Sequence, residues 1–291
     1  MVNPYIDRSQ KPRLIEPPGA ELKVIQKRLK TLLGRIEVPD NVFSGIKGRS
    51  YVDNARYHTG KHVRYLFKID FTAFFPSISR ETVYQFFLED LQCAPDIAQI
   101  LTNLTTIDLA RTSSTGLDDI YTFLSAKGVQ CTNHLISGAP TSQILSYLVN
   151  HKMFDEMQTL ADQYNAVMSI YVDDVTFSSE CRLPKRFKES ILTIIQKYKY
   201  QVSYSKVKSY TKVYPKLITG VIIDPNGRLI IKNSLRRKIV VEHDHLRMNP
   251  EDTQSRQRLK GLLTAARQVD ENAYPSIYQF AFDDSSQGSV I

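Results

Sequence analysis

A chain of 291 residues, 42% hydrophobic and 23% charged, carries enough apolar mass for one large domain or two smaller ones. No run approaches the roughly 18 apolar residues of a membrane span, and Met1-Val2-Asn3-Pro4-Tyr5-Ile6-Asp7 lacks a signal-peptide core, so a cytoplasmic protein away from membranes is expected. Cys93, Cys131 and Cys181 are too few and too scattered for a disulfide framework or a zinc site, and read as small buried residues in a reducing compartment.

The net charge of +8 conceals a division along the chain. Residues 1–69 carry +8, residues 70–181 carry −10, residues 182–268 carry +14 and residues 269–291 carry −4. An acidic centre between basic flanks can hold cations in the middle while the flanks grip phosphates.

In chain order, Lys11-Pro12-Arg13-Leu14-Ile15-Glu16-Pro17-Pro18-Gly19 predicts a short extended segment closed by a Pro-Gly turn. Leu22, Ile25, Leu29, Leu32, Leu33 and Ile36 recur at helical spacing, with Lys23, Lys27, Lys30 and Arg35 on other faces. Gly45, Gly48 and Gly60 punctuate a basic loop region with Lys47, Arg49, Arg56, Lys61 and Arg64. Tyr65-Leu66-Phe67-Lys68-Ile69-Asp70 is a β-rich run ending in an acid, and residues 80–107 read as helix with Val83, Phe86, Phe87 and Leu91 inward. Ser113-Ser114-Thr115-Gly116 is a polar loop, and Pro140-Thr141 opens a helix that runs on through Ile144, Leu145, Leu148, Val149 and Met153. The alternating runs Val167–Ile170 and Val175–Ser178 predict two strands with Tyr171-Val172-Asp173-Asp174 at the hairpin tip. Residues 184–200 form a basic amphipathic helix with Phe187, Ile191, Ile194 and Ile195 inward. Val213–Ile223 and Arg228–Ile231 predict a hairpin turned by Asp224-Pro225-Asn226-Gly227. From Ser234 helices follow, on Leu235, Ile239 and Val240 and then Leu259, Leu262, Leu263 and Ala266, before a polar tail over 282–291. The fold class is α+β.

Two adjacent acids at a strand end repel unless something cationic neutralises them, and hard divalent ions with oxygen ligands do that best. Asp70 stands 103 residues before Asp173, so the three carboxylates meet only through a folded sheet. Three such acids around two ions are the arrangement for in-line phosphoryl transfer. Either site alone reads as well as solvated turn acids; the two together in apolar settings do not.

Phe67-Lys68-Ile69-Asp70-Phe71-Thr72-Ala73-Phe74-Phe75-Pro76-Ser77-Ile78, Gly138-Ala139-Pro140-Thr141-Ser142 and Tyr171-Val172-Asp173-Asp174 resemble, in order, the palm motifs of reverse transcriptases. Asn54-Ala55-Arg56-Tyr57-His58 resembles the Asn-Ala-x-x-His signature of bacterial retron reverse transcriptases, and Ile218-Thr219-Gly220 their Val-Thr-Gly element. The similarity covers about residues 10–280. It implies a right-hand polymerase fold: fingers over 1–69, an antiparallel palm sheet over 70–232 with an inserted fingers segment at about 79–135, and a small helical thumb with a tail over 233–291.

The resemblance also implies roles. Asp70, Asp173 and Asp174 would bind two Mg²⁺ ions, or Mn²⁺, with backbone carbonyls of Ile69 and Phe71 added. Arg13 and Lys11 would clamp the incoming triphosphate, a task suited to a guanidinium because it bonds phosphate oxygens in pairs. Lys206, with Lys208 as rival, would protonate the leaving pyrophosphate. Phe75 stands at the sugar gate, where a bulky ring excludes a ribose hydroxyl; as one of three nearby phenylalanines it reads equally as core. Gly138 and Ala139 would meet the nucleotide through their backbone. Ser137 stands where the family often has Gln, and Gln143 where it often has Pro. Asn54, Arg236, Arg237 and Lys238 are expected at RNA, and His58 as a hydrogen-bonded structural residue.

The expected partners are a cognate structured non-coding RNA, its RNA–DNA product, deoxynucleoside triphosphates and an effector protein of an anti-phage defence unit. A chain ending at Ile291 is expected to lack the maturase of group II intron proteins and any RNase H domain. Two other readings stand beside this one: a non-retron bacterial defence reverse transcriptase, and a catalytically idle RNA-binding scaffold.

Overall fold

The computed structural model describes residues 2–9, 11–60, 64–112 and 115–282. Lys61, Ser113, Ser114 and the tail from 283 lie outside these residues. The chain forms two compact units, residues 1–50 with 65–209 and residues 51–64 with 210–291. Strands and helices are mixed in both, as an α+β fold requires. This partition is one of packing, and it takes residues 51–64 away from the N-terminal segment in which the sequence places them.

In the first unit the central sheet has the order Val167–Tyr171, Asp174–Ser179, Tyr65–Asp70, Lys208–Tyr210. Alternation on Tyr65–Asp70 turns Phe67, Ile69 and then Phe71 into the core, each no more than 2% exposed. Phe67, Phe177 and Phe187 pack there, with the Phe177 and Phe187 ring centroids 5.3 Å apart edge to face. Burying a ring of this size contributes about 1.5–3 kcal/mol, so these three phenylalanines fix the strands against the helix Lys185–Lys197. That helix buries Phe187, Ile191 and Ile195 as its periodicity predicts.

The helix Ala20–Leu33 is shorter than predicted, and of its apolar positions only Leu29 and Leu33 are buried, while Ile25 and Leu32 are exposed. The predicted helix over 80–107 is broken. Arg80–Gln85 passes into a π-helical turn at Phe86–Asp90, a second helix begins at Pro95, and Thr106–Asp108 is a strand. Proline fits the first helical turn but not its interior, which is why the break falls at 91–94. The helix after Pro140 likewise divides into Ser142–Leu148 and His151–Gln163. Tyr5–Asp7 pairs with Arg13–Ile15, so the extended segment at Arg13 is one arm of a hairpin rather than a lone strand. Cys181 is exposed, against the expectation of burial.

In the second unit Lys216–Ile218, Val221–Ile223 and Leu229–Ile231 form a three-stranded antiparallel sheet, one strand more than predicted. Asp224–Gly227 turns the second hairpin as expected, with Asp224 Oδ1 accepting from the N–H groups of Asn226 and Arg228. Thr219 and Gly220 turn the first, both with positive φ (44° and 93°), the backbone that a two-residue hairpin of this hand demands. The helices Asn233–Met248, Thr253–Val269 and Pro275–Phe282 enclose Ile231, Ile239, Leu246, Leu259, Leu263 and Ala266. The first begins at Asn233, one residue before the predicted start at Ser234, and Val240 is 45% exposed rather than inward. Among the described residues no helix is long and apolar enough to cross a membrane.

Candidate active site

Register brings the acids together. Tyr65–Asp70 and Asp174–Ser179 pair antiparallel with Asp70 opposite Asp174, while Tyr171 opposite Asp174 leaves Val172 and Asp173 as the hairpin turn. Directly opposed residues share a face, so Asp70 and Asp174 point the same way. The Phe71 N–H donates to the Asp173 carbonyl at 2.9 Å, tying the turn to the end of the Asp70 strand.

Val172 holds φ at 56°, a backbone that costs a β-branched residue about 1–3 kcal/mol. The surroundings enforce it: its N–H donates to Ser44 Oγ at 2.8 Å, and residues 41–43 hydrogen-bond to both sides of Ile170. After Asp70 the chain reverses through Ala73 (φ 45°) into the short helix Phe74–Ser77. Phe71 and Phe74 stack in the core at 4.8 Å, whereas Phe75 is only half-buried. Phe75, packed against the edge of the core, is thus the one phenylalanine of the motif that is not fully buried.

The electrostatics follow from burial. Asp173 has its carboxyl pushed up to about 6 from 3.8, first by desolvation and then by the charges of Asp70 and Asp174. Asp174 is also raised by burial, against the opposing pull of Lys68. Two lysines answer this charge. Lys206, on the turn Tyr204–Lys206, donates to Asp70 Oδ1. Lys68 Nζ lies 2.9 Å from Asp174 Oδ2. Lys208 is exposed on the neighbouring strand, so of the two rivals it is Lys206 that reaches the acids.

Lys68 is a site residue that sequence reasoning missed. Counting back two from Asp70 on a strand would have found it, since i and i−2 share a face. Among the described residues no three His, Cys, Asp or Glu side chains stand close enough to enclose an ion, because Asp70 and Asp174 are each turned to a lysine. The donor set still fits a hard divalent cation: all three acids offer oxygen, and Asp174 Oδ1 is buried without a hydrogen-bond partner.

Arg13 and Lys11 are exposed, Arg13 at the start of its strand. That strand is locked to the Gly138 turn. Glu16 Oε2 accepts from the Ser137 N–H at 2.6 Å, Glu16 Oε1 meets His134 Nε2 at 2.9 Å, and Ser137 Oγ donates to the Leu14 carbonyl at 2.9 Å. Glu16 and His134 are fully buried. Ser137 therefore spends its side chain on this lock. Gly138 has φ 106° and open space where a Cβ would stand, and Ala139 is buried against Leu14 and Ile136. The side chains of Ile69 and Phe71 belong to the core, leaving only their main chain near the acids.

Asn54 does not face solvent. It is 1% exposed, and its Nδ2 donates to Thr219 Oγ1 at 3.3 Å while that hydroxyl donates to the Tyr51 carbonyl at 2.8 Å. The expected RNA contact by Asn54 gives way to a structural one, since a buried amide needs its partner inside. His58 is buried too, which with the nearby Arg64 charge lowers its pKa to about 3 and keeps it neutral. Arg236 donates to the Ile231 carbonyl at 3.0 Å, while Arg237 and Lys238 line an open groove of about 770 Å³ with Val241, Arg258 and Leu262. Among the other basic residues of these helices, Arg258 pairs with Glu242 at 2.9 Å and Arg267 stacks 3.7 Å over Tyr278, so these arginines staple helices together.

A family profile described as reverse transcriptase (RNA-dependent DNA polymerase) matches residues 7–238. The chain belongs to the reverse transcriptase family. It is 24% identical over 204 residues to the Retron Se72 reverse transcriptase of Salmonella heidelberg, covering 68% of this chain and 47% of that one. It is 25% identical over 265 residues to the Retron Mx65 reverse transcriptase of Myxococcus xanthus, covering 90% and 59%. It is 23% identical over 232 residues to the Retron Ec83 reverse transcriptase of Escherichia coli, covering 78% and 69%. This reverse transcriptase spans about half the length of the first two relatives.

Proposed function

We propose that the chain is an RNA-directed DNA polymerase that copies a structured non-coding RNA of its own into single-stranded DNA, starting from a ribose 2′-hydroxyl of that RNA. The observation that carries this reading is the register that sets Asp70 opposite Asp174 with Asp173 in the adjoining turn. Two divalent ions held by these three carboxylates would activate the attacking hydroxyl and take up charge on the leaving oxygen. Arg13 and Lys11 bind the triphosphate, Gly138 and Ala139 border the nucleotide, and Lys206, already at Asp70, supplies a proton to pyrophosphate. In this reading residues 1–69 are fingers, 70–232 palm with the inserted segment, and 233–291 thumb. The hydrogen bond joining Asn54 to Thr219 supports the retron branch over other bacterial defence enzymes, since it unites the two elements that mark that branch. A cytoplasmic defence unit with an effector protein completes the proposal. The test supplies purified protein with the RNA encoded beside its gene, Mg²⁺ and deoxynucleotides. A branched product whose DNA survives ribonuclease but keeps one linked ribonucleotide is expected; an unlinked product ends the priming assignment.

The raised Asp173 carboxyl gives a pH-dependent readout of ion binding. A folded pKa above the unfolded value means that the folded chain holds that proton more tightly. Stability therefore falls as pH rises between about 4 and 6, and the penalty persists above that window. A divalent ion relieves it. Millimolar Mg²⁺ is expected to raise the melting temperature at about pH 8 and to change it little at about pH 5. Equal shifts at both would place the ion elsewhere.

The thumb helix gives a second readout. Arg236→Ala/Arg237→Ala/Lys238→Ala should weaken binding of the cognate RNA and flatten its salt dependence, each lost phosphate contact lowering the slope by about 0.7–0.9. An A-form stem offers phosphates and 2′-hydroxyls rather than readable base edges, so charge and shape govern. Filter binding at several salt concentrations measures both; an unchanged slope would remove this helix from the RNA surface.

A further inference from the structure

The strand that carries Asp70 also delivers a cation to the acids. Ile69 and Phe71 face the core, so Lys68 emerges on the face of Asp70. Across the sheet, Lys68 is registered opposite Thr176 and diagonal to Asp174. Its ammonium lies 2.9 Å from Asp174 Oδ2, and the two side chains are only 15% and 18% exposed. Lys206 differs: its side chain is 47% exposed and comes from a separate turn, from which it can withdraw into solvent. Lys68 stays near the acids whatever it bonds to.

Two buried polar atoms beside it lack hydrogen-bond partners, Asp174 Oδ1 and Thr176 Oγ1. An unpaired buried hydroxyl is costly. Here it stands between Ser169 on one neighbouring strand and Lys68 directly across on the other, and of the two only Lys68 carries a charge. We propose that Lys68 is a tethered counter-ion of the metal site. It neutralises Asp174 in the ion-free protein, is displaced from Oδ2 when a divalent ion binds, and then donates to Thr176 Oγ1. Its charge thereby sets how tightly the site holds an ion. This rests on the reading of Asp70, Asp173 and Asp174 as ion ligands, and it accounts for why they do not already converge around an ion.

The experiment titrates the full chain with Mn²⁺, following free ion by electron paramagnetic resonance, without nucleic acid or turnover. Lys68→Met is expected to lower the Mn²⁺ Kd about fivefold or more, because a like charge has left the site. Lys68→Arg keeps the charge and is expected within about twofold of wild type. Thr176→Val, which preserves shape but removes the acceptor, is expected to raise the Kd severalfold. Lys68→Gln serves in place of the Met variant should the latter fail to fold by circular dichroism, with the same expectation. An unchanged or higher Kd on loss of the Lys68 charge overturns the proposal, as does tightening by Arg equal to that by Met. A pair that matters only to stability would move the melting temperature and not the Kd. If instead Asp173→Ala/Asp174→Ala binds Mn²⁺ as wild type does, the ligand reading itself fails, an outcome separate from any result at Lys68.

Discussion

Asp173→Ala/Asp174→Ala is expected to abolish Mg²⁺-dependent deoxynucleotide incorporation on a primed RNA template, by a factor on the order of 1000 or more, while RNA affinity stays within a few-fold. The size of the effect reflects charge. Without these carboxylates nothing holds the ions where negative charge develops on the attacking and leaving oxygens. RNA affinity is expected to survive because the basic residues suited to phosphate contacts lie outside the acidic centre. The double variant also removes the mutual repulsion that burial imposes on Asp173, so the folded chain should melt no lower than wild type in the absence of Mg²⁺. Residual synthesis above about a tenth of wild type would mean that other residues carry the ions.

The second large effect is expected at Phe75. Phe71 and Phe74 stack on one another in the core, and Phe75, next to Phe74 on the short helix, is only half-buried. Phe75→Ala should let ribonucleotides compete about tenfold or more better against deoxynucleotides, because the excluded volume disappears while the carboxylates remain. Single-nucleotide incorporation with each sugar gives the ratio directly. An unchanged ratio accompanied by a lower melting temperature would make Phe75 a packing residue.

Much of this was legible in the sequence, for definable reasons. Alternation fixed which side chains of Tyr65–Asp70 face the core, and two apolar runs around Tyr171–Asp174 fixed the hairpin. What escaped depends on partners far along the chain. Lys68 reads as an ordinary strand lysine until register puts Asp174 diagonally across from it. Glu16 and His134, 118 residues apart, carry no local pattern that announces a buried pair. Arg258 and Arg267 carry no local pattern that ties them to Glu242 and Tyr278, which hold them in the fold. The first hairpin of the three-stranded sheet could have been found, since Thr219-Gly220 between two apolar runs is a two-residue turn signal with glycine in its second place.

The bond between Asn54 and Thr219 bears on how such enzymes can be recombined. Residues 51–64 and 210–291 fold as one packing unit, although the first of them is embedded in sequence that otherwise belongs to the other unit. A hybrid that imports the C-terminal segment of a relative and keeps its own residues 51–64 would seat a foreign turn against Tyr51 and Asn54, stranding an amide that is 1% exposed. Exchange of the C-terminal segment between relatives is therefore a two-piece graft, and positions 54 and 219 should change hands together.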